Sequence, residues 1–477
     1  MESGRRRVPL RPLACCFLSF ALLILTLEAQ SIWWDEGISL HLAGLPWGEI
    51  VSNRAANIHP PLYFFILKVW TSLAGRTPFA GRYLSALAVS LLPAAVYGFL
   101  ARRVTAKTGR VAAFLVAFAP PFVVYGQETR AYALLPVGVI ALWSLVWPAR
   151  AGGPEADIGP LRSGRLQTRL RRGPDPVSVS STPQWGSVGH RPQRMLSSAR
   201  DWPHSRSRPS RAFDSARTGG GPRGLLQASG PSMNSGRRQH QRAPSHWVRR
   251  GVLLGLVQAT LIGLHYAGVI AAGVAALGYG LRWLRALRRG TARDIAREWL
   301  TGSIVMLVCL APWAAVMAGV GLAGLRSQAG LSNALSEPAP VVYVVELLGI
   351  FHTTGFPGAL GSPELVRSSV VVGGLLLLGS LVVRLRTGRR SSLAGLSLLW
   401  LAPFCAAPAI WAMSSQSHPR YLFAFVVGGW MVGAAMVTHR RLPRVIRTMV
   451  LAVLLVSNVL GLRAYFGDPA YARDDVR

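Results

Sequence analysis

Apolar runs of roughly 17–22 residues recur along the chain, the length an α-helix needs to cross the hydrocarbon core of a bilayer. They lie near 13–30, 83–101, 111–125, 131–148, 250–265, 267–284, 299–318, 369–384, 393–412, 421–438 and 445–462. A chain in lipid must satisfy its backbone polar groups internally, which leaves helices as the spanning element for runs of this length. The expected fold class is therefore an all-α membrane protein of about eleven transmembrane helices. The runs 111–125 and 250–265 are short for a full crossing.

Residues 60–75 (PPLYFFILKVWTSLAG) are apolar too. Counting them as a crossing would scatter the basic clusters over both sides. Leaving them out puts Arg5–Arg7, Arg102/Arg103/Lys107/Arg110, Arg282–Arg289, Arg384–Arg390 and Arg440–Arg447 on one side, as the positive-inside rule requires. We thus expect 60–75 to be an extracytoplasmic juxtamembrane helix after the first span, with the N-terminus cytoplasmic and the C-terminus outside. The first run resembles a signal peptide, but Trp33-Trp34-Asp35-Glu36 follows it in place of a small-residue cleavage site, so it reads as an uncleaved first helix.

The net charge of +33 would otherwise suggest nucleic acid as a partner. Here the arginines cluster between apolar spans and in one insert, so the charge bias of cytoplasmic loops accounts for them, and no nucleic-acid partner is expected. The four cysteines, Cys15, Cys16, Cys309 and Cys405, lie in apolar runs without metal or disulfide spacing.

Four segments follow: a membrane module over 1–148, an insert over 149–249, further transmembrane helices over 250–462, and the start of an extracytoplasmic tail over 463–477. The insert is rich in Arg, Ser, Pro and Gly and poor in aliphatics, a composition that cannot bury enough surface to order itself. It reads either as a disordered cytoplasmic loop touching anionic lipid or, in part, as the product of a frameshift. The tail ends abruptly, as a truncated chain would.

This topology sends the chemistry-bearing residues to one face. Asp35 and Glu36 leave the first span behind two interfacial tryptophans, a depth at which carboxylates are costly to hold. Either could N-cap the next helix; as a functional pair, Asp35 is the favoured general base. His59-Pro60-Pro61-Leu62-Tyr63 is a plain helix start or a contact to a phosphate or acceptor. In Tyr125-Gly126-Gln127-Glu128-Thr129-Arg130-Ala131-Tyr132, Glu128 and Arg130 form a surface ion pair or stand at the level of Asp35, Arg130 holding phosphate oxygens. His265-Tyr266 and Ser417-His418-Pro419-Arg420-Tyr421 are interface anchors or further members of the same face. No nucleotide-binding P-loop, HExxH or GxSxG motif is present.

In this order, Asp35-Glu36, HPPLYF (59–64), YGQETRAY (125–132), LHY (264–266) and HPRYLF (418–423) resemble the polytopic glycosyltransferases of the GT-C type. Within them the chain looks most like the bacterial branch related to protein O-mannosyltransferases and the lipid A aminoarabinose transferases. The resemblance implies a polyprenyl-phosphate sugar donor, a lipid, glycan or protein acceptor on the outer face of the cytoplasmic membrane, and inversion at the anomeric carbon. It makes Asp35, Glu36 and Glu128 the catalytic acids. His59, Tyr63, Arg130, Tyr132, His265, Arg420 and Tyr421 become the substrate-binding set. A divalent metal ion stays open, with Asp35, Glu36, Glu128 and His59 as its candidate ligands. A carrier or flippase for lipid-linked sugars is the alternative. The basic insert and the short C-terminal part depart from the family pattern.

Overall fold

A computed structural model describes residues 10–147 except 58, residues 245–328 except 289, a few positions between 374 and 402, and residues 422–467 except 441. The described residues form helices and turns with no strand, the all-α class expected. They lie in one compact unit that joins the chain before the insert to the chain after it.

The N-terminal half folds as α1 (Leu10–Leu25), α2 (Trp34–Gly44), α3 (Trp47–Ala56), α4 (Leu62–Ala74), α5 (Pro78–Ser90), α6 (Leu92–Arg103), α7 (Ala106–Ala117) and α8 (Pro120–Gly126). A 3-10 turn (Ala131–Leu134) and α9 (Leu135–Val146) complete it. Beyond the insert come α10 (Ser245–Leu264), α11 (Ala267–Leu287), α12 (Ala292–Gln328), α13 (Phe423–Thr438) and α14 (Arg444–Gly467). Local signals explain several boundaries. Thr77 caps α5 by accepting the Ala80 N–H at 3.1 Å, with Pro78 in the first turn, where its missing N–H is harmless. Thr105 caps α7 through the Thr108 N–H at 3.0 Å. Pro120 and Pro121 stop α7 from continuing, and the chain bends by 54° into α8.

Five described helical segments are long and apolar enough to cross a membrane, namely α5 and α6 taken together, α10, α11, α12 and α14, and six if the bent pair α7–α8 is one span. The expected spans 13–30, 131–148 and 421–438 appear as shorter apolar helices, while 369–384 and 393–412 fall almost wholly outside the described residues. The 60–75 segment is a helix of 13 residues, about 20 Å at 1.5 Å per residue and too short to cross. The insert yields to helix at Ser245 rather than 250, and α14 runs on to Gly467 rather than 462.

The core centres on α13, buried along its whole length from Phe423 to Met436, as befits a helix apolar on every side. Elsewhere α12 and α14 turn large apolar side chains outward, among them Leu307, Val308, Met449 and Val459. Such continuous exposed apolar bands suit lipid and not water. At the contact of α10 with α12, Gly255 comes so close that a Cβ there would collide with the Gly302 carbonyl oxygen, the small-residue packing that lets membrane helices approach.

Away from the site described below, arginines close the far end of α9. Arg103 donates to the carbonyls of Trp147 and Ser144, Arg250 to that of Leu145 at 2.7 Å and Arg282 to that of Val146 at 3.2 Å. Cations suit the negative end of a helix dipole. Arg250 also holds Glu298 at 2.8 Å, and Tyr279 donates to the same carboxylate at 2.6 Å, so α10, α11 and α12 meet where α9 ends.

Candidate active site

The ends of α1, α2, α4, α8 and α10 and the 3-10 turn gather at one end of the bundle. Glu36 holds them together. It is fully buried in the first turn of α2, and Arg82 of α5 grips it with both fork nitrogens, Nε to Oε1 at 2.9 Å and Nη2 to Oε2 at 2.8 Å. The rest of that guanidinium donates to the carbonyls of Leu27, Gln30 and Ser31, just past α1. Glu36 also accepts the Thr129 N–H at 2.9 Å and the Trp33 N–H at 3.4 Å. Thr129 reaches it because residue 81 is glycine: a Cβ there would stand 2.7 Å from Thr129 Oγ1. Gln127 docks the same loop, donating to the Leu23 carbonyl and to Thr26 Oγ1 and accepting from the Tyr465 hydroxyl of α14.

With that scaffold set, Asp35 faces the other way. Its Oδ2 meets Arg130 Nη2 at 3.1 Å, and the two side chains are 22% and 14% exposed. Arg130 belongs to the wall of a cavity lined by His59, Pro60, Tyr63, Phe64, Ala131, Tyr132, Leu264 and His265. Tyr132 stacks obliquely on His265 with ring centroids 5.1 Å apart and carries the Arg130 guanidinium 5.8 Å from its own ring centre.

The histidines present different atoms. His59 Nδ1 lies 2.6 Å from the Asn57 carbonyl, so it donates there, and Nε2 is then a lone-pair acceptor in the neutral ring. Burial, with Arg54 and Arg130 nearby, holds the His59 pKa below the usual value. His265 Nδ1 instead accepts the Ala267 N–H at 3.0 Å, which puts the proton of its neutral ring on Nε2. Tyr63 is 1% exposed, and its hydroxyl has no hydrogen-bond partner among the described residues.

Of the residues singled out in the sequence, His59, Tyr63, Arg130, Tyr132 and His265 line the cavity together, and Asp35 joins them through Arg130. Glu36 is turned into the Arg82 grip, away from that lining. Glu128 is buried at 3% exposure beside the cavity wall, and its carbonyl accepts the Arg130 N–H at 2.8 Å. Arg420 and Tyr421 lie outside the described residues. Among the described residues no three His, Cys, Asp or Glu side chains come together as a metal site. Two arginines of the site escaped the sequence reading. Arg82 stands at the edge of an apolar run, where it passes for a flanking charge, and Arg54 sits in the polar connector before His59.

A second, apolar groove begins on the same turn. Pro61, Leu62 and Phe65 of the α4 end, Leu256 and Gly263 of α10, and Leu310 and Trp313 of α12 are among its walls. The cationic cavity and this groove share the neighbouring pairs Pro60/Pro61, Leu62/Tyr63 and Gly263/Leu264.

This arrangement of helices has known counterparts. The fold is similar to the crystal structure of ArnT from Cupriavidus metallidurans bound to undecaprenyl phosphate, with a TM-score of 0.53 and 13% identity over 95% of this chain and 64% of that one. Apo ArnT from the same organism gives 0.50 and 12% over the same shares. The chain thus spans somewhat less than two thirds of the length of those proteins. No curated protein matches the sequence. At this identity to ArnT the likeness is one of fold, the all-α arrangement that the apolar runs led us to expect. Residues 58–153, from the His59 turn through the YGQETRAY loop to seven residues past α9, match the family model of dolichyl-phosphate-mannose-protein mannosyltransferase.

Proposed function

We propose that the protein is a membrane glycosyltransferase that moves a sugar from a polyprenyl-phosphate donor to a hydroxyl-bearing acceptor at the outer face of the cytoplasmic membrane. The observation that carries this reading is the Asp35–Arg130 pair at 3.1 Å, at a cavity that adjoins an apolar groove. The groove suits an isoprenoid tail and the cavity its headgroup. Solved ArnT, of similar fold, holds undecaprenyl phosphate.

In this reading Asp35 Oδ takes the proton of the acceptor hydroxyl as its oxygen bonds to the anomeric carbon. The bond from that carbon to the phosphate oxygen breaks on the opposite side, so the configuration inverts. Arg130 fixes the direction of the Asp35 carboxylate, which shortens the search for the attacking geometry. The Tyr63 hydroxyl and the Nε2 atoms of His59 and His265 offer hydrogen bonds of both senses to sugar hydroxyls. Glu128, within electrostatic reach of Tyr63, is the second acid of the site. Glu36 serves as structure. The carboxylates stand at helix ends rather than in mid-span, which favours a transferase over a carrier.

The test is consumption of a panel of labelled polyprenyl-phosphate hexoses by membranes carrying the protein or its Asp35→Asn variant. Loss of sugar from one donor, absent with the variant, supports the reading and names the donor. Survival of every donor beside the full-length protein overturns it.

A further inference from the structure

At the end of the bundle away from the cavity, a groove of about 410 Å³ opens between α1, α7 and α14. Its direction follows from the far ends of the same helices. Gln127, just past α8, donates to the Leu23 carbonyl of α1 and accepts from the Tyr465 hydroxyl of α14, so α1, the α7–α8 pair and α14 all finish at the site. Their starts therefore lie together at the opposite end. Arg11 and Arg110 stand near the starts of α1 and α7, and Cys15 and Phe114 follow them by four residues, one helical turn further along. Leu451 and Leu455 of α14 form the third wall. The groove thus has two guanidinium side chains at its outer end and an apolar floor running inward. The 16 residues of α1, about 24 Å at 1.5 Å each, keep that charged end well apart from the Asp35–Arg130 pair.

Both arginines are exposed, and among the described residues neither has an ion-pair partner. The chain has few acids to supply one. It carries 52 lysines and arginines against 19 aspartates and glutamates, and the residues before Arg11 add Arg5, Arg6 and Arg7. The anion that answers these cations comes from outside the chain. Phe114 and Leu455 of the floor are exposed as well, in a bundle whose outer faces suit lipid. The walls are fixed in place: Asn458 of α14 donates to the Leu115 carbonyl of α7 at 3.1 Å, and the Thr108 hydroxyl of α7 meets that of Thr438 in α13 at 2.7 Å. Paired cations at the head of an apolar slot match a phosphate headgroup over an acyl chain, the way basic pockets between membrane helices hold anionic lipid.

We propose that this groove binds an anionic phospholipid of the surrounding membrane, its phosphate held by Arg11 and Arg110 and an acyl chain laid over Phe114, Leu451 and Leu455. A guanidinium fork takes two phosphate oxygens at once, so two of them can share one headgroup. The bound lipid ties the start of α1 to α7, at the opposite end from the Leu27, Gln30 and Ser31 carbonyls that Arg82 holds. The site is separate from the apolar groove at α4 and does not depend on the transferase reading.

The experiment uses the full-length protein in detergent micelles with phosphatidylglycerol that carries a diazirine in its acyl chain, and peptide mapping reads the crosslinks. In the wild type they should fall on the groove walls in α1, α7 and α14. Unlabelled phosphatidylglycerol should displace the probe roughly 30-fold better than phosphatidylcholine, about fivefold for each arginine beside an anionic headgroup. Arg11→Gln and Arg110→Gln should each lose about fivefold of that preference, and Arg11→Lys and Arg110→Lys should keep most of it. Arg102→Gln and Lys107→Gln, exposed cations of the same end that do not line the groove, should leave it unchanged. Crosslinks that map elsewhere, or equal displacement by the two phospholipids, overturn the proposal. So does a loss from Arg102→Gln as large as that from Arg11→Gln, which makes the attraction a diffuse property of the surface. Undecaprenyl phosphate displacing the probe at a lower concentration than phosphatidylglycerol also overturns it, by making the groove a place for polyprenyl lipid instead.

Discussion

Glu36 and Arg82, 46 residues apart in sequence, form a two-pronged ion pair at 2.9 and 2.8 Å that fastens the start of α2 to α5. Neither side chain is open to solvent to any extent, so removing one partner strands a buried charge. Arg82→Gln or Glu36→Gln is expected to destabilise the protein by about 3–5 kcal/mol. Thermal unfolding in detergent micelles checks this. Glu36→Leu combined with Arg82→Met should lose much less than the two single losses added, since no charge is left alone.

Asp35 and Arg130 are a different kind of pair, closer to solvent, and their contribution to stability is small. Partly exposed pairs of this sort contribute about 1 kcal/mol. Asp35→Asn should therefore leave the unfolding midpoint almost unchanged while lowering sugar transfer about 10²–10⁴-fold, the usual share of a general base. Arg130→Gln should lower transfer as well, because the Asp35 carboxylate loses the partner that directs it. Turnover and unfolding midpoints measured on the same preparations check both variants.

His59 is held neutral: its folded pKa lies below the ordinary 6.5, chiefly through burial. The unfolded chain thus binds the proton more readily than the folded one. The stability this residue contributes is present in full above pH 6.5 and declines as pH falls from there through the lower folded value. Unfolding midpoints across pH 5–8 should fall on the acid side, and more gently in His59→Gln than in the wild type.

Gly81 and Thr129 occupy one space. A methyl at residue 81 would stand 2.7 Å from Thr129 Oγ1 and 2.8 Å from its Cγ2, with Leu40 at 3.0 Å on the other side. Gly81→Ala should cost about 1–3 kcal/mol as overpacking, and it should lower transfer by pushing the 127–130 loop off Glu36. Adding Thr129→Gly should recover part of both losses, and a double-mutant cycle on midpoints and turnover reads the coupling.

Much of the architecture was legible because it rests on composition and length. The apolar runs within the described residues became helices, the 13-residue helix after His59 proved too short to span, and Pro120-Pro121 broke its run where proline must. The cavity set from His59 to His265 was legible because those residues lie at helix ends that the topology sends to one side. The different partners of Asp35 and Glu36 were not. Both fit a first helical turn, and the long-range arrival of Arg82 and the Thr129 N–H turns Glu36 inward while Asp35 meets Arg130. Arg54 was hidden for a related reason: in sequence it belongs to a polar connector, and its burial on Phe64 arises from the packing of α3 on α4.

The arginines that close α9 bear on how this protein can change. The end of α9 and the first helix after the insert are stitched to each other by Arg250 reaching Leu145, while Arg103 of α6 holds Trp147 in place. The exit and re-entry points of the chain are thus neighbours, whatever length of polypeptide separates them. Closing a longer loop between points already pinned adds only about 0.6 kcal/mol per doubling. The stitch lies at the far end of α9, whose 12 residues put it about 18 Å from the 3-10 turn that carries Tyr132. Sequence can therefore be gained or lost at this seam with little strain reaching the cavity, which makes it the place where a lineage can experiment and a natural cut point for expressing the two halves as separate chains.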